Sequence, residues 1–268
     1  MDNRSIGVFD SGLGGLTVLK AIMELLPEES LVYFGDSGRA PYGIKSRESI
    51  VKYTFQDTRF LLSHDIKMIV VACNTASAYG YDLIRHSFDI PVVEVIGPGA
   101  AAAVKATRNR KVGVIGTPGT ISSGVYGKAI NNLDISIEIS FKACPMLVPL
   151  VEEGWWENDI ALRIAEEYLI PMKGKNIDTL VLGCTHYPLL YNTIFKVMGE
   201  DVKLVNSGLE TARAVKRLLE DLNIRNDGKN KAEYRYFTSD SVEKFIELGS
   251  SFLGRDIASA YKVDIEKY

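Results

Sequence analysis

The sequence is short of the residues that mark most special classes of protein. Three cysteines in 268 residues, all far apart, make no disulfide framework and are expected to be free thiols in a reducing compartment. Three histidines are equally sparse, and no single segment holds a two-Cys or His-rich cluster at metal-ligand spacing, so no metal is expected. No apolar run approaches the roughly 20 residues that span a bilayer. The start, MDNRSIGVFDSG, lacks the charged lead and long apolar stretch of a secretory signal. A cytoplasmic protein without membrane association is expected. Nor is there an excess of basic charge: 31 Lys+Arg stand against 34 Asp+Glu, a formal net charge of −3, which argues against a nucleic-acid partner. The one basic stretch, RNDGKNKAEYR (225–235), reads as a solvated loop.

What is present is an ordinary globular composition, 46% hydrophobic and 24% charged, long enough for one large domain or two modest ones. Short apolar runs alternate with helical patterns. IGVF (6–9) precedes Val18, Ile22, Leu25 and Leu26 at helical spacing, stopped by Pro27. LVYF (31–34) precedes a helix over about 46–63. KMIVVA (67–72), PVVEVI (91–96), KVGVIG (111–116), ISIEISF (135–141), DTLVLG (178–183) and VKLVN (202–206) continue the series, and YRYFT (234–238) is a late strand. Strands apolar on both faces belong to parallel sheets covered by helices on both sides, and the alternation argues an α/β fold.

Two of these signals recur. IGVFDSG at residue 6 resembles VGVIGTPG at 112, an offset of 112 − 6 = 106, and Cys73 in VVACNTASA matches Cys184 in LVLGCTHYPLL, an offset of 184 − 73 = 111. Two pairs at nearly one offset indicate an internal repeat. The expectation is two similar parallel-sheet α/β domains related by pseudo-twofold symmetry, residues 1–96 plus 208–268 and residues 97–207, with the active site in the cleft between them.

Ligands of open parallel sheets bind beyond the carboxyl ends of the strands. Four stretches lie there: Asp10-Ser11, Cys73-Asn74-Thr75, Thr117 and Cys184-Thr185-His186. Two related units packed face to face bring all four to one cleft, with a thiol on each wall. Acid/base groups on opposite faces of one carbon can invert it. A free thiol has a pKa of roughly 8.5, and a helix N-terminus can lower it toward working pH; backbone N–H groups there can also hold a carboxylate. Either cysteine alone reads more simply as a small apolar filler at a strand end. The pairing, the polar residues after each, and His186 two places beyond Cys184 favour function. Cys144, in KACPMLVPL, has no such context and reads as a packing thiol. Asp10 serves equally well as an N-cap or a cleft carboxylate. On local pattern Glu152 is a surface acid, and Trp155 and Trp156 are packing residues at a domain or subunit surface. Asp36 lies in a turn-rich loop, bent at Pro41-Tyr42-Gly43, that is long enough to cover a cleft. DSGLGG fails as a dinucleotide fingerprint, because the place of the third glycine is taken by Thr17.

The motifs GVFDSGLGGLTVL, YFGDSGRAPYG, ACNTASA, CPMLVPLVEEG and LGCTHYPLL together resemble those of the bacterial glutamate racemases, within the aspartate/glutamate racemase superfamily. Ser37 and Gly38 depart from the Thr-Ala of that pattern, while Asp36 and PYG are kept. The resemblance implies a cofactor-independent isomerase that interconverts L- and D-glutamate for peptidoglycan synthesis and cell-wall biogenesis, often as a homodimer. It implies that Cys73 deprotonates D-glutamate and Cys184 L-glutamate, with Asp10 assisting the first thiol and His186 the second, and Glu152 also engaged. Asp10-Ser11, Pro41-Tyr42-Gly43, Asn74-Thr75, Thr117 and Thr185-His186 are the expected substrate-binding positions. Aspartate racemase is the nearest alternative. A thiol redox or amino-acid binding protein is the alternative from another class.

Overall fold

A computed structural model describes all 268 residues, Met1–Tyr268. The β-branched runs form ten strands: β1 (Ser5–Asp10), β2 (Leu31–Gly35), β3 (Ile66–Val71), β4 (Val92–Glu94), β5 (Lys111–Gly116), β6 (Glu138–Ala143), β7 (Thr179–Gly183), β8 (Lys203–Asn206), β9 (Tyr234–Thr238) and β10 (Tyr261–Lys262). Six helices follow in the first half: α1 (Leu16–Leu25), α2 (Arg47–Leu62), α3 (Asn74–Ser87), α4 (Ile96–Ala106), α5 (Pro118–Ser122) and α6 (Val125–Leu133). Five come later: α7 (Leu147–Glu152), α8 (Asp159–Lys173), α9 (Tyr191–Met198), α10 (Ser207–Asp221) and α11 (Val242–Leu253). No helix is long and apolar enough to cross a membrane.

The strands form two sheets. One has the order β10-β9-β2-β1-β3-β4 and the other β6-β5-β7-β8, and every pairing is parallel. The repeat read in the sequence is visible as the shared order: β2-β1-β3-β4 corresponds strand for strand to β6-β5-β7-β8. In each sheet the first strand has its successor on one side and the third on the other, so a crevice opens at the carboxyl ends between them. Asp10 closes β1 and Cys73 follows β3; Thr117 follows β5 and Cys184 follows β7. One core runs through both units, from Ile6, Val8 and Val70 to Val114, Leu180 and Leu182. The opposite face of the first sheet, with Phe9, Phe34, Ile69 and Val71, packs against α2 and α3 as a smaller core. Helix α10 packs on both α1 and α4 and so joins the two layers.

Two strand boundaries differ from expectation for local reasons. The strand in PVVEVI ends at Glu94, because its carboxylate accepts from the N–H groups of Ile96 and Gly97 and starts α4 instead. The ISIEISF strand begins only at Glu138, because Asp134 accepts from the N–H of Ser136 at 2.9 Å and its hydroxyl at 2.6 Å, holding that segment as a turn.

Lys67 lies within β3 yet is wholly buried. Its Nζ is 2.6 Å from Glu29 Oε2, with both side chains at 0% exposure, and donates to the carbonyls of Asp2 (2.6 Å) and Ile224 (2.8 Å). This ties the N-terminus, the α1–β2 turn and the segment after α10 together at the end of the sheet opposite the crevice. Lys67→Met leaves the Glu29 carboxylate buried and unpaired, so urea unfolding is expected to show a loss of about 3–5 kcal/mol; a loss below about 1 kcal/mol would refute this account.

Candidate active site

The two crevices face one another and enclose a single cavity of about 20 Å³, room for about one water. Ser11, Cys73, Asn74 and Thr75 form one wall. Thr117, Cys184, Thr185 and His186 form the other, and Pro41, Tyr42, Gly43 and Val148 close the rest. Of the expected residues, only Asp10 and Glu152 do not line the cavity. They stand behind Cys73 and His186.

Cys73 caps α3: its Sγ accepts from the N–H of Ala76 at 3.5 Å. Burial, and then the negative charge of Asp10, push its thiol up to about 12, against the pull of the N–H of Ala76 and of the Ser11 hydroxyl and N–H. The expected lowering by the helix terminus is therefore reversed here, because desolvation of a thiolate outweighs one turn of backbone dipole. At neutral pH Cys73 holds its proton. Asp10 is wholly buried too. It accepts from the N–H of Gly12 at 3.0 Å and, across the cleft, from the Thr185 hydroxyl at 3.3 Å. Burial raises its pKa, opposed chiefly by the charge of His186.

Cys184 stands in a different setting. No α-helix starts at it; a turn leads instead into a single 3₁₀ turn at Tyr187–Leu190. Its Sγ is 3.8 Å from His186 Nδ1, and His186 Nε2 is 3.3 Å from Glu152 Oε1. The second contact is an ion pair whose direction makes no aligned hydrogen bond, since Nε2 has no hydrogen-bond partner. Burial disfavours the imidazolium, but the hydrogen bond to Cys184 and the proximity of Glu152 win, and His186 is pushed up to about 10. Glu152 is held below the usual carboxylate range, first by His186. It ends α7 with 42% of its side chain exposed while its carboxylate reaches His186.

Close backbone approach makes this geometry possible. A Cβ on Gly14 would lie 2.3 Å from Thr185 Oγ1 and 2.5 Å from His186 Nδ1, and one on Gly43 would lie 2.5 Å from Thr117 Cβ. The Tyr42 hydroxyl turns away from the cavity to Asp57 (2.9 Å) and Asp36. Asp36 also accepts from Arg39 at 2.6 Å and Ser239 at 2.7 Å, so its part is to hold this loop. The hydroxyls of Thr75, Thr117 and Thr120 meet within 2.9–3.1 Å and bridge the walls. Thr120, Val148 and Tyr126, whose hydroxyl reaches Asn74 Oδ1 at 2.8 Å, had no signal in the sequence. Trp155 is exposed; Trp156 packs edge-on to Phe252, which in turn packs edge-on to His186. Cys144 is fully buried with its Sγ turned to Lys142 O at 3.6 Å, outside the cavity lining.

Two parallel-sheet units thus bring one buried thiol each to a shared cavity, together with a carboxylate and an imidazole. The model of the Asp/Glu/Hydantoin racemase family matches residues 6–215, and the chain belongs to that family. It is 48% identical over 263 residues to a glutamate racemase of Geobacter metallireducens, covering 98% of this chain and 97% of that one. Its structure is similar to a glutamate racemase isoform of Bacillus anthracis, at a TM-score of 0.95 and 42% identity over 98% of both chains. A glutamate racemase of Francisella tularensis, solved in complex with D-glutamate, matches at 0.93 and 39% over 100% of both.

The imidazole titration follows from the contacts. A pKa of about 10 in the folded protein lies above the ordinary value of about 6.5. Protonation of His186 therefore stabilises the fold fully below that ordinary value, and the contribution disappears as pH rises through the folded pKa. An NMR titration of the imidazole is expected to place its midpoint near 10, and Glu152→Gln to move it to lower pH. A midpoint near 6.5 in the parent protein would overturn this charge assignment.

Proposed function

We propose that this protein is a cofactor-independent glutamate racemase working by two bases. The carrying observation is the pair of thiols on opposite walls of one cavity; similarity to glutamate racemases over nearly the whole chain supports glutamate over aspartate as substrate. In its thiolate form Cys73 takes the α-proton of D-glutamate: the Cα–H bond breaks, an S–H bond forms, and the electron pair passes to Cα and its carboxylate. The Cys184 thiol then delivers its proton to the opposite face. In reverse, Cys184 abstracts from L-glutamate and Cys73 donates.

Each thiol is poised differently. His186, held as imidazolium 3.8 Å from the Cys184 sulfur, places a positive charge beside it. Cys73 rests protonated beside Asp10, readying it as acid. For the D to L direction the substrate ammonium, entering next to Cys73, offsets the Asp10 charge and lowers the cost of the thiolate. The α-hydrogen is a weak acid, so the developing negative charge needs preorganised donors in a site without water. The Asn74 amide and the N–H groups at the start of α3 are placed to supply them. The cavity is far smaller than glutamate, so the two walls separate to admit substrate and close again over it.

The reading extends to a cytoplasmic homodimer that supplies D-glutamate for peptidoglycan, with residues 1–96 plus 208–268 and 97–207 as its two domains. The separate sheets support that division.

In heavy water, without added cofactor, L-glutamate is expected to lose optical activity and yield D-glutamate carrying deuterium at Cα, with aspartate turned over far more slowly. Cys73→Ala and Cys184→Ala are each expected to lower kcat by about 10²- to 10⁴-fold or more while the protein remains folded. Full turnover by either variant would sink the two-base reading.

A further inference from the structure

Asn74 is 2% exposed, its Oδ1 accepts from the Tyr126 hydroxyl at 2.8 Å, and its Nδ2 has no hydrogen-bond partner. A buried amide donor without a partner is costly, and is retained where something else can fill it. Asn74 lines the cavity, so the partner that fits is a ligand oxygen. What keeps the amide this way round is not on its own helix. An Asn side chain can turn over and exchange donor for acceptor. Its only side-chain partner, Tyr126, lies in α6, on the far side of the cleft, and is itself 1% exposed. Burial, and then the charge of Glu94, raise the Tyr126 pKa, so the phenol is neutral and has one proton to give.

We propose that Tyr126 is a positioning residue: by donating to Oδ1 from across the cleft it fixes the Asn74 amide with Nδ2 toward the cavity, where it binds a carboxylate oxygen of the amino-acid substrate. The proposal rests on the racemase reading. A reversed amide would turn Oδ1 toward that carboxylate and repel it. Because the phenol and the amide belong to opposite layers, the donor is set only when the two walls are together. The pocket is thus completed by closure itself.

The test is a double-mutant cycle. Tyr126→Phe keeps the ring and removes the hydroxyl. It is expected to lower kcat/KM for both enantiomers roughly 10- to 100-fold, chiefly through KM, as for loss of one hydrogen bond to a charged group. Asn74→Ala is expected to cost at least as much, and the double variant no more than Asn74→Ala alone. Effects that multiply, or a Tyr126→Phe protein within twofold of the parent, would overturn the proposal. A parent protein that does not racemise glutamate would refute the racemase reading instead. In that case the substrate-free protein still decides the amide question: the Asn74 side-chain N–H signals, sharp in the parent, are expected to broaden in Tyr126→Phe as the amide turns over, and equally sharp signals in both would overturn it.

Discussion

Everything in the site depends on the exclusion of water from the space between the two crevices. Neither crevice is closed by its own sheet. Each becomes buried only because the other covers it, and the desolvation that results weighs on every charged group there. It raises Cys73 and Asp10 together, and it makes the Cys184–His186–Glu152 contacts strong enough to keep the imidazole charged against its own burial. The same closure lets threonine hydroxyls from opposite walls meet within hydrogen-bond distance. In an open cleft water would compete for each of these partners and screen each of these charges.

The repeat is close in backbone and unequal in chemistry. The strand orders correspond, and the thiols fall at equivalent strand ends. Around them the residues differ: an anion and a 14-residue helix attend Cys73, a cation and a short turn attend Cys184. The two thiols thus stand in unlike surroundings, with a carboxylate beside one and an imidazolium beside the other.

Much of this was legible in the chain. Apolar runs gave the positions of most strands because parallel strands buried on both faces admit little else, and the doubled cysteine motif pointed to one cleft. What was not legible depends on distance in space. Glu152 looks like a surface acid and is half exposed; only the fold brings His186 to it. Tyr126 sits in an ordinary amphipathic helix, and nothing beside it in sequence announces Asn74. The protonation of Cys73 went the other way because the helix-terminus rule describes a local dipole, while burial is set by the opposite wall. Strand β6 started late because a side-chain turn at Asp134 outcompeted β-propensity over Ile135–Ile137.

The pairing of β9 with β2 also has a meaning for synthesis. β2 is an apolar strand, LVYFG, whose outer neighbour comes from Tyr234–Thr238, on the far side of the entire second sheet in sequence. As the chain leaves the ribosome, the four strands of the second sheet can assemble among themselves, while β2 waits as an open edge until nearly the last residues arrive. The nascent protein therefore carries an unpaired apolar strand edge for most of its elongation. Strand β9 acts as a seal, and a truncation that removes Tyr234–Thr238 would expose that edge permanently.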